Sequence, residues 1–263
     1  IRDDLVTGVQ TCALPISYDS LKSVGREKDF DSYVSNQLII FRSSEGLSTL
    51  TAGFALILGY KISYASGIFF ALIQFYFLLG LTEIRLEPKT EKAHITKEIL
   101  DCFKQSFLFL KSQRKTFLLM LANSLVGALD VLLLFFLQAK LPMAHIPNWA
   151  LGIALFAMQM GGMLGAKLAL LCRRLNYYAM FALDFVLLLS AIAMEHTGVY
   201  IVMALGGFLA TMSDDALQVR TNTIMQERFP SEQRATLISI DSFTFSLVMI
   251  ILSPLAGLFF TLW

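Results

Sequence analysis

The most restrictive feature of this chain is a series of apolar runs, each about 18 to 25 residues long, the length a helix needs to cross a hydrocarbon core of roughly 30 Å. Seven can be marked, at about 43–60, 63–82, 116–137, 148–171, 177–195, 198–217 and 236–261. Lipid offers no hydrogen-bond partner to an open backbone, so each run is predicted to be helical. Composition agrees: 56% of the 263 residues are hydrophobic and only 16% charged, against about 25% charged in a soluble domain. The expected fold class is therefore all-α, a polytopic membrane helix bundle of about seven transmembrane helices.

Lysine and arginine set the expected orientation. Alternate loops, taken as 18–42, 83–115, 172–176 and 218–235, hold 17 of the 21 basic residues, and the intervening loops hold only Lys61 and Lys140. The positive-inside rule puts the rich side in the cytoplasm. Net charge is +1, which gives no bulk attraction to nucleic acid, and no nucleic-acid partner is expected. Cys102 and Cys172 have no C-x-x-C spacing, and His94, His145 and His196 fall in loops or amphipathic stretches, so neither a metal site nor a cofactor is expected.

Two segments stand outside the runs. The N-terminal VTGVQTCALPIS (Val6 to Ser17) has no helical or strand period and no charge. It resembles a translated sequencing-library adapter, so residues 1–17 are expected to be non-native. The polar stretch 83–115 carries Ile95, Ile99, Cys102, Phe103 and Phe107 at helical spacing. It reads as a cytoplasmic amphipathic linker lying on the membrane surface or running into the next span. The expected organisation is 1–17 artefact, 18–82 with two spans, 83–115 linker, and 116–263 with five spans.

Three stretches carry a family resemblance: the loop YDSLKSVGREKDF (Tyr18 to Phe30), the central charged loop Glu83 to Lys115, and RTNTIMQERFPSEQRATLIS (Arg220 to Ser239). Together with the loop order they resemble the major facilitator superfamily (MFS), from the end of its fourth helix through its eleventh. In the third stretch the matching positions are Asn222, Pro230, Glu232 and Arg234-Ala235-Thr236. The resemblance departs where a basic signature after the eighth helix is reduced to Gly165, Lys167, Arg173 and Arg174 without its acid, and where the fifth helix lacks a Gly-Pro element. It implies a partial MFS fold in the plasma membrane and alternating access of two helix bundles about a midplane site.

An ionisable group at membrane depth costs about 2.5–3.5 kcal/mol on insertion scales and is a functional candidate by default. Glu45, Asp130, Asp184 and Asp241 qualify. Asp130 lies midway along a run that the resemblance makes cavity-lining, and Asn123, seven residues earlier, shares its face. An Asp at the outer rim meeting water is the competing reading. Asp241 and Gln159 are further substrate- or proton-binding candidates, each with a structural alternative: an Arg234 ion pair for Asp241 and a neighbouring helix for Gln159. Asp184 is expected to make a structural pairing, and Glu45 an ion pair with Arg42 three residues earlier. Asp214 and Asp215 are expected to meet Arg220 or Arg234 in a cytoplasmic gate. Gly161, Gly162 and Gly165 form a small-xxx-small pattern that allows close helix approach.

The functional expectation is secondary active transport of a small solute, with a proton as candidate coupling ion, by a chain that is a fragment of such a protein. Its partners would be membrane lipid and that solute. The alternatives are an inactive membrane fragment and a membrane-embedded enzyme. The last would need His, Asp or Arg clustered on one face, and the sequence has no such cluster, so an enzyme is not expected.

Overall fold

The computed structural model of the chain describes residues 17–58, 60–80, 95–172, 175–230 and 233–262. Of the stretch expected to be artefact, residues 1–16 lie outside these, as do 83–94 of the linker. A short helix over 17–23 (α1) and a 3-10 turn at Glu27–Asp29 lead into α2 (Phe30–Leu58) and α3 (Tyr60–Leu79). Then come α4 (Ile95–Ser112), α5 (Arg114–Met143), α6 (Asn148–Leu171), α7 (Tyr177–Glu195), α8 (Tyr200–Arg228) and α9 (Arg234–Leu262). The molecule is an all-α bundle of long helices.

Four of these helices are long and apolar enough to cross a membrane among the described residues: Arg114–Met143, Ala150–Leu171, Tyr177–Glu195 and Arg234–Phe259. This corrects the expectation of seven spans. The runs at 43–60, 63–82 and 198–217 overlap α2, α3 and α8 over the described residues. Helix α2 carries Asp31, Arg42 and Glu45. Over the described residues of α3 the apolar stretch is Tyr64–Phe77. Helix α8 is apolar from Tyr200 to Met212, about 13 residues, and then carries Asp214, Asp215, Arg220, Glu227 and Arg228, short of the ~20 apolar residues a span needs.

The position of α8 explains its composition. It packs against α6, α7, α5 and α2, so its buried residues fall on several faces: Thr211, Asp215 and Val219 on one, Ser213, Leu217 and Thr221 on another. A helix surrounded by protein does not need an apolar surface, because neighbouring helices rather than lipid solvate its polar groups. By contrast, α3 exposes Phe69, Phe70, Tyr76 and Phe77, an apolar surface suited to lipid contact.

Helix ends follow local chemistry. The Asn176 side chain accepts a hydrogen bond from the Tyr178 amide at 3.4 Å, capping α7. Pro142 sits in the last turn of α5, and His145 just beyond adopts φ +59°, a left-handed conformation of the kind that ends helices. Lys140 of α5 then pairs with the buried Glu195 at the end of α7, 3.1 Å away.

The tightest packing is between α6 and α8. A Cβ added at Gly165 would run into the Met212 carbonyl, and one at Gly161 into the Phe208 carbonyl. The Thr211 hydroxyl donates to the Met158 carbonyl at 2.7 Å. On the other side of α6, the buried Ser35 hydroxyl of α2 donates to the Ala166 carbonyl at 2.7 Å. Helix α6 is thus held between α2 and α8 by glycine contacts and hydroxyl-to-carbonyl bonds, the kind of glue that works without a hydrophobic driving force.

Candidate functional site

The glycine contact on α6 brings charges together. At Gly162 a Cβ would meet the Asp215 carboxylate and the Arg42 Nε, so the missing side chain is what lets this ion pair cross the helix. Arg42 donates from Nε to Asp215 Oδ2 and from Nη2 to Asp215 Oδ1, both at 2.7 Å. This is the parallel two-bond geometry in which guanidinium and carboxylate match best. The remaining Nη1 donates to Gln159 Oε1 at 3.1 Å and to Glu45 Oε2 at 3.2 Å. The Asp215 side chain is fully buried and that of Arg42 is 13% exposed. One guanidinium therefore joins α2, α6 and α8.

Around this pair lies an excess of acid. Asp130 of α5, 1% exposed, is within electrostatic reach of Arg42, Asp215 and Asp184. Asp214 is within reach of Asp130, Asp184, Asp215 and Arg42. Its Oδ1 lies 3.9 Å from where a Gly127 Cβ would stand, which aims it at α5. Asp130 Oδ1, Asp184 Oδ2 and Asp241 Oδ1 are buried without a hydrogen-bond partner among the described residues. The other face of Asp184 is engaged by Ser213. Asp241 lies on α9, within electrostatic reach of Tyr177. Chemically, this is a buried carboxylate cluster with one fixed cation.

Among the sequence candidates, Asp130, Gln159, Asp214 and Asp215 come together here. Asn123 is half-buried one heptad earlier on α5, and Asp241 stands apart on α9. The expected gate pairing is corrected, because Asp215 is held by Arg42, and Arg220 and Arg234 reach elsewhere. Arg220 pairs with Asp31 of α2 at 3.4 Å. Arg234 pairs with Asp19, lies 4.5 Å over the Tyr18 ring, and donates to the Phe229 carbonyl at 3.2 Å. Burial raises the Tyr18 hydroxyl above its ordinary pKa, opposed by the Arg234 charge.

The physical reason is reach. Asp215 points at α6 and α2, whereas Arg220 and Arg234 lie nearer the helix ends and meet the acids that flank the start of α2. The Arg42–Glu45 pair, three residues apart, forms as local spacing suggests. Sequence reading missed Arg42 as the hub because it stands one residue ahead of an apolar run and counts as a loop cation. The usable signal was the Asp214-Asp215 pair inside a run, which demands a buried cation from another helix.

These findings describe a membrane-embedded helical protein with a buried, acid-rich polar site. Compared with protein-family models, curated proteins and solved structures, the chain gives no match, so the architecture stands on its own residues and the superfamily resemblance remains one of motif and loop order.

Proposed function

We propose that the chain is, or derives from, a secondary active transporter that moves a small solute by alternating access, with protons exchanging on the buried carboxylates. The observation that carries this reading is the charge balance at Arg42. Glu45, Asp130, Asp214 and Asp215 cluster near a single guanidinium. Carboxylates buried without full compensation require a proton or a cationic partner, and a site that can be charged or neutral is what coupling demands.

The interhelical pairs support it further. Arg42–Asp215, Arg220–Asp31 and Arg234–Asp19 all tie the 19–42 segment to α8 and α9. Such bridges can lock one end of a bundle closed and be exchanged when it opens. The likeness in motif and loop order to the major facilitator superfamily points the same way.

The test is solute-evoked proton movement in liposomes containing the purified chain and a trapped pH-sensitive dye. Gradients of organic acids, amines, sugars and peptides are applied in turn. A coupled solute is expected to shift the internal pH, and Asp130→Asn is expected to reduce that shift at least about tenfold, as loss of a group used in proton transfer does. An unchanged response in the variant would remove Asp130 from the mechanism. No response to any solute class would overturn the transport reading.

A further inference from the structure

A second polar feature lies away from the carboxylate cluster, where α4 meets α5 and the end of α8. A cavity of about 250 Å³ opens there, lined by Phe109, Gln113, Lys115, Thr116 and Arg228. Among its described lining residues two are cations and none is an acid. Neither Lys115 nor Arg228 takes part in an ion pair among the described residues. Thr116, 3% exposed, also lines the cavity. Beneath the cavity, Leu110, Leu119, Met120, Met225, Phe229 and Leu237 pack into an apolar cluster that holds α4 against the bundle.

The surroundings are those of a membrane surface. Helix α4 exposes Phe107 and Leu108, at 69% and 54%, immediately before the cavity-lining Phe109. Lys111 and Arg114 follow, both exposed. Exposed apolar residues beside a run of cations is the arrangement of a segment that lies in the interface and attracts anionic headgroups. The cavity is smaller than the roughly 300–1,000 Å³ of sites that enclose a drug-sized ligand, so it suits a phosphate-bearing headgroup whose chains remain outside against Phe107 and Leu108.

We infer that this cavity binds the phosphate of an anionic lipid headgroup, held by Lys115 and Arg228 with the Thr116 hydroxyl, and so pins α4 to the membrane surface. The chemistry recognised is a phosphate monoester or diester. The apolar residues on α4 favour a lipid over a free ion as its source.

The experiment measures retention of phosphatidylglycerol against phosphatidylcholine on the detergent-purified chain by native mass spectrometry, repeated as a competition with inorganic phosphate. The chain is expected to retain phosphatidylglycerol preferentially. Each cation contributes about a fivefold effect near an anionic surface, so Lys115→Gln or Arg228→Gln is expected to lower retention about fivefold and the double variant about 25-fold. Lys22→Gln, an exposed cation elsewhere, is expected to leave it unchanged. Should the double variant fail to fold, the nearly isosteric Thr116→Val is expected to weaken retention without altering charge. Equal retention by the cavity variants and the parent would overturn the site. Displacement by millimolar inorganic phosphate, without preference for the lipid, would overturn the lipid source.

Discussion

Replacing Arg42 with alanine is expected to lower the apparent melting temperature of the detergent-solubilised chain by about 10 °C. Removing one partner of a buried pair costs about 3–5 kcal/mol, and each kcal/mol is worth roughly 2–4 °C in a chain of this size. The loss arises because Asp215, fully buried, loses both 2.7 Å bonds, while Gln159 and Glu45 lose their shared donor. Lysine is expected to recover only part of the loss, since an ammonium cannot make the two parallel bonds. The double change Arg42→Met with Asp215→Leu is expected to be more stable than Arg42→Ala, because apolar residues leave no stranded charge at this pair. A melting temperature unchanged in Arg42→Ala would show that the guanidinium is not the hub of the site. Thermal unfolding followed by circular dichroism reads each of these.

The second large effect is expected at Gly165. The group that an added methyl would strike is the Met212 backbone, which cannot rotate away as a side chain could, so α6 and α8 must separate. Overpacking costs about 1–3 kcal/mol and more where nothing can yield. Gly165→Ala is therefore expected to lower the melting temperature by about 5 °C or more. Gly67→Ala in α3 is expected to be neutral or stabilising. Nothing lies within 4 Å of its added Cβ, and alanine is favoured over glycine inside a helix by about 0.5–1 kcal/mol. The same substitution should thus have opposite effects at two glycines, and equal effects would refute the close α6–α8 contact. Because the carboxylate cluster hangs on that contact through Gly162, Gly165→Ala is also expected to weaken any function that depends on Asp215.

These two experiments probe different links between sequence and structure. The glycine pattern was readable in advance: GGMLG within an apolar run marks a helix face that something approaches closely. Which helix approaches it was not readable. The identity of the neighbour depends on how α2, α6 and α8 stack, and no local spacing records that. Arg42 is the sharper case. Its pairing with Glu45 is a matter of helical geometry over three residues, whereas its pairing with Asp215 spans 173 positions.

The partners of the expected gate residues differ for a related reason. Arg220 shares α8 with Asp214 and Asp215, whereas Arg234 begins α9. Residues five or six apart on one helix do not face each other as residues three or four apart do. The acids that Arg220 and Arg234 meet, Asp31 and Asp19, are brought to them only by the packing of the 19–42 segment.

What the amino-acid order alone determined is the class of structure. Long apolar runs in lipid can only be helices, because the backbone has no other hydrogen-bond partner there, and seven helices do lie over those runs among the described residues. Tertiary structure decided which of them are clad in protein. Helix α8 can carry the buried Asp215 because four neighbouring helices solvate it, so its polar half extends about three turns past the apolar run without a hydropathy signal. Helices α5, α6, α7 and α9 keep the composition of lipid-crossing segments. The cluster around Arg42 belongs to the tertiary level altogether, because a charge is admitted to a membrane interior only where distant parts of the chain jointly replace the water it has lost.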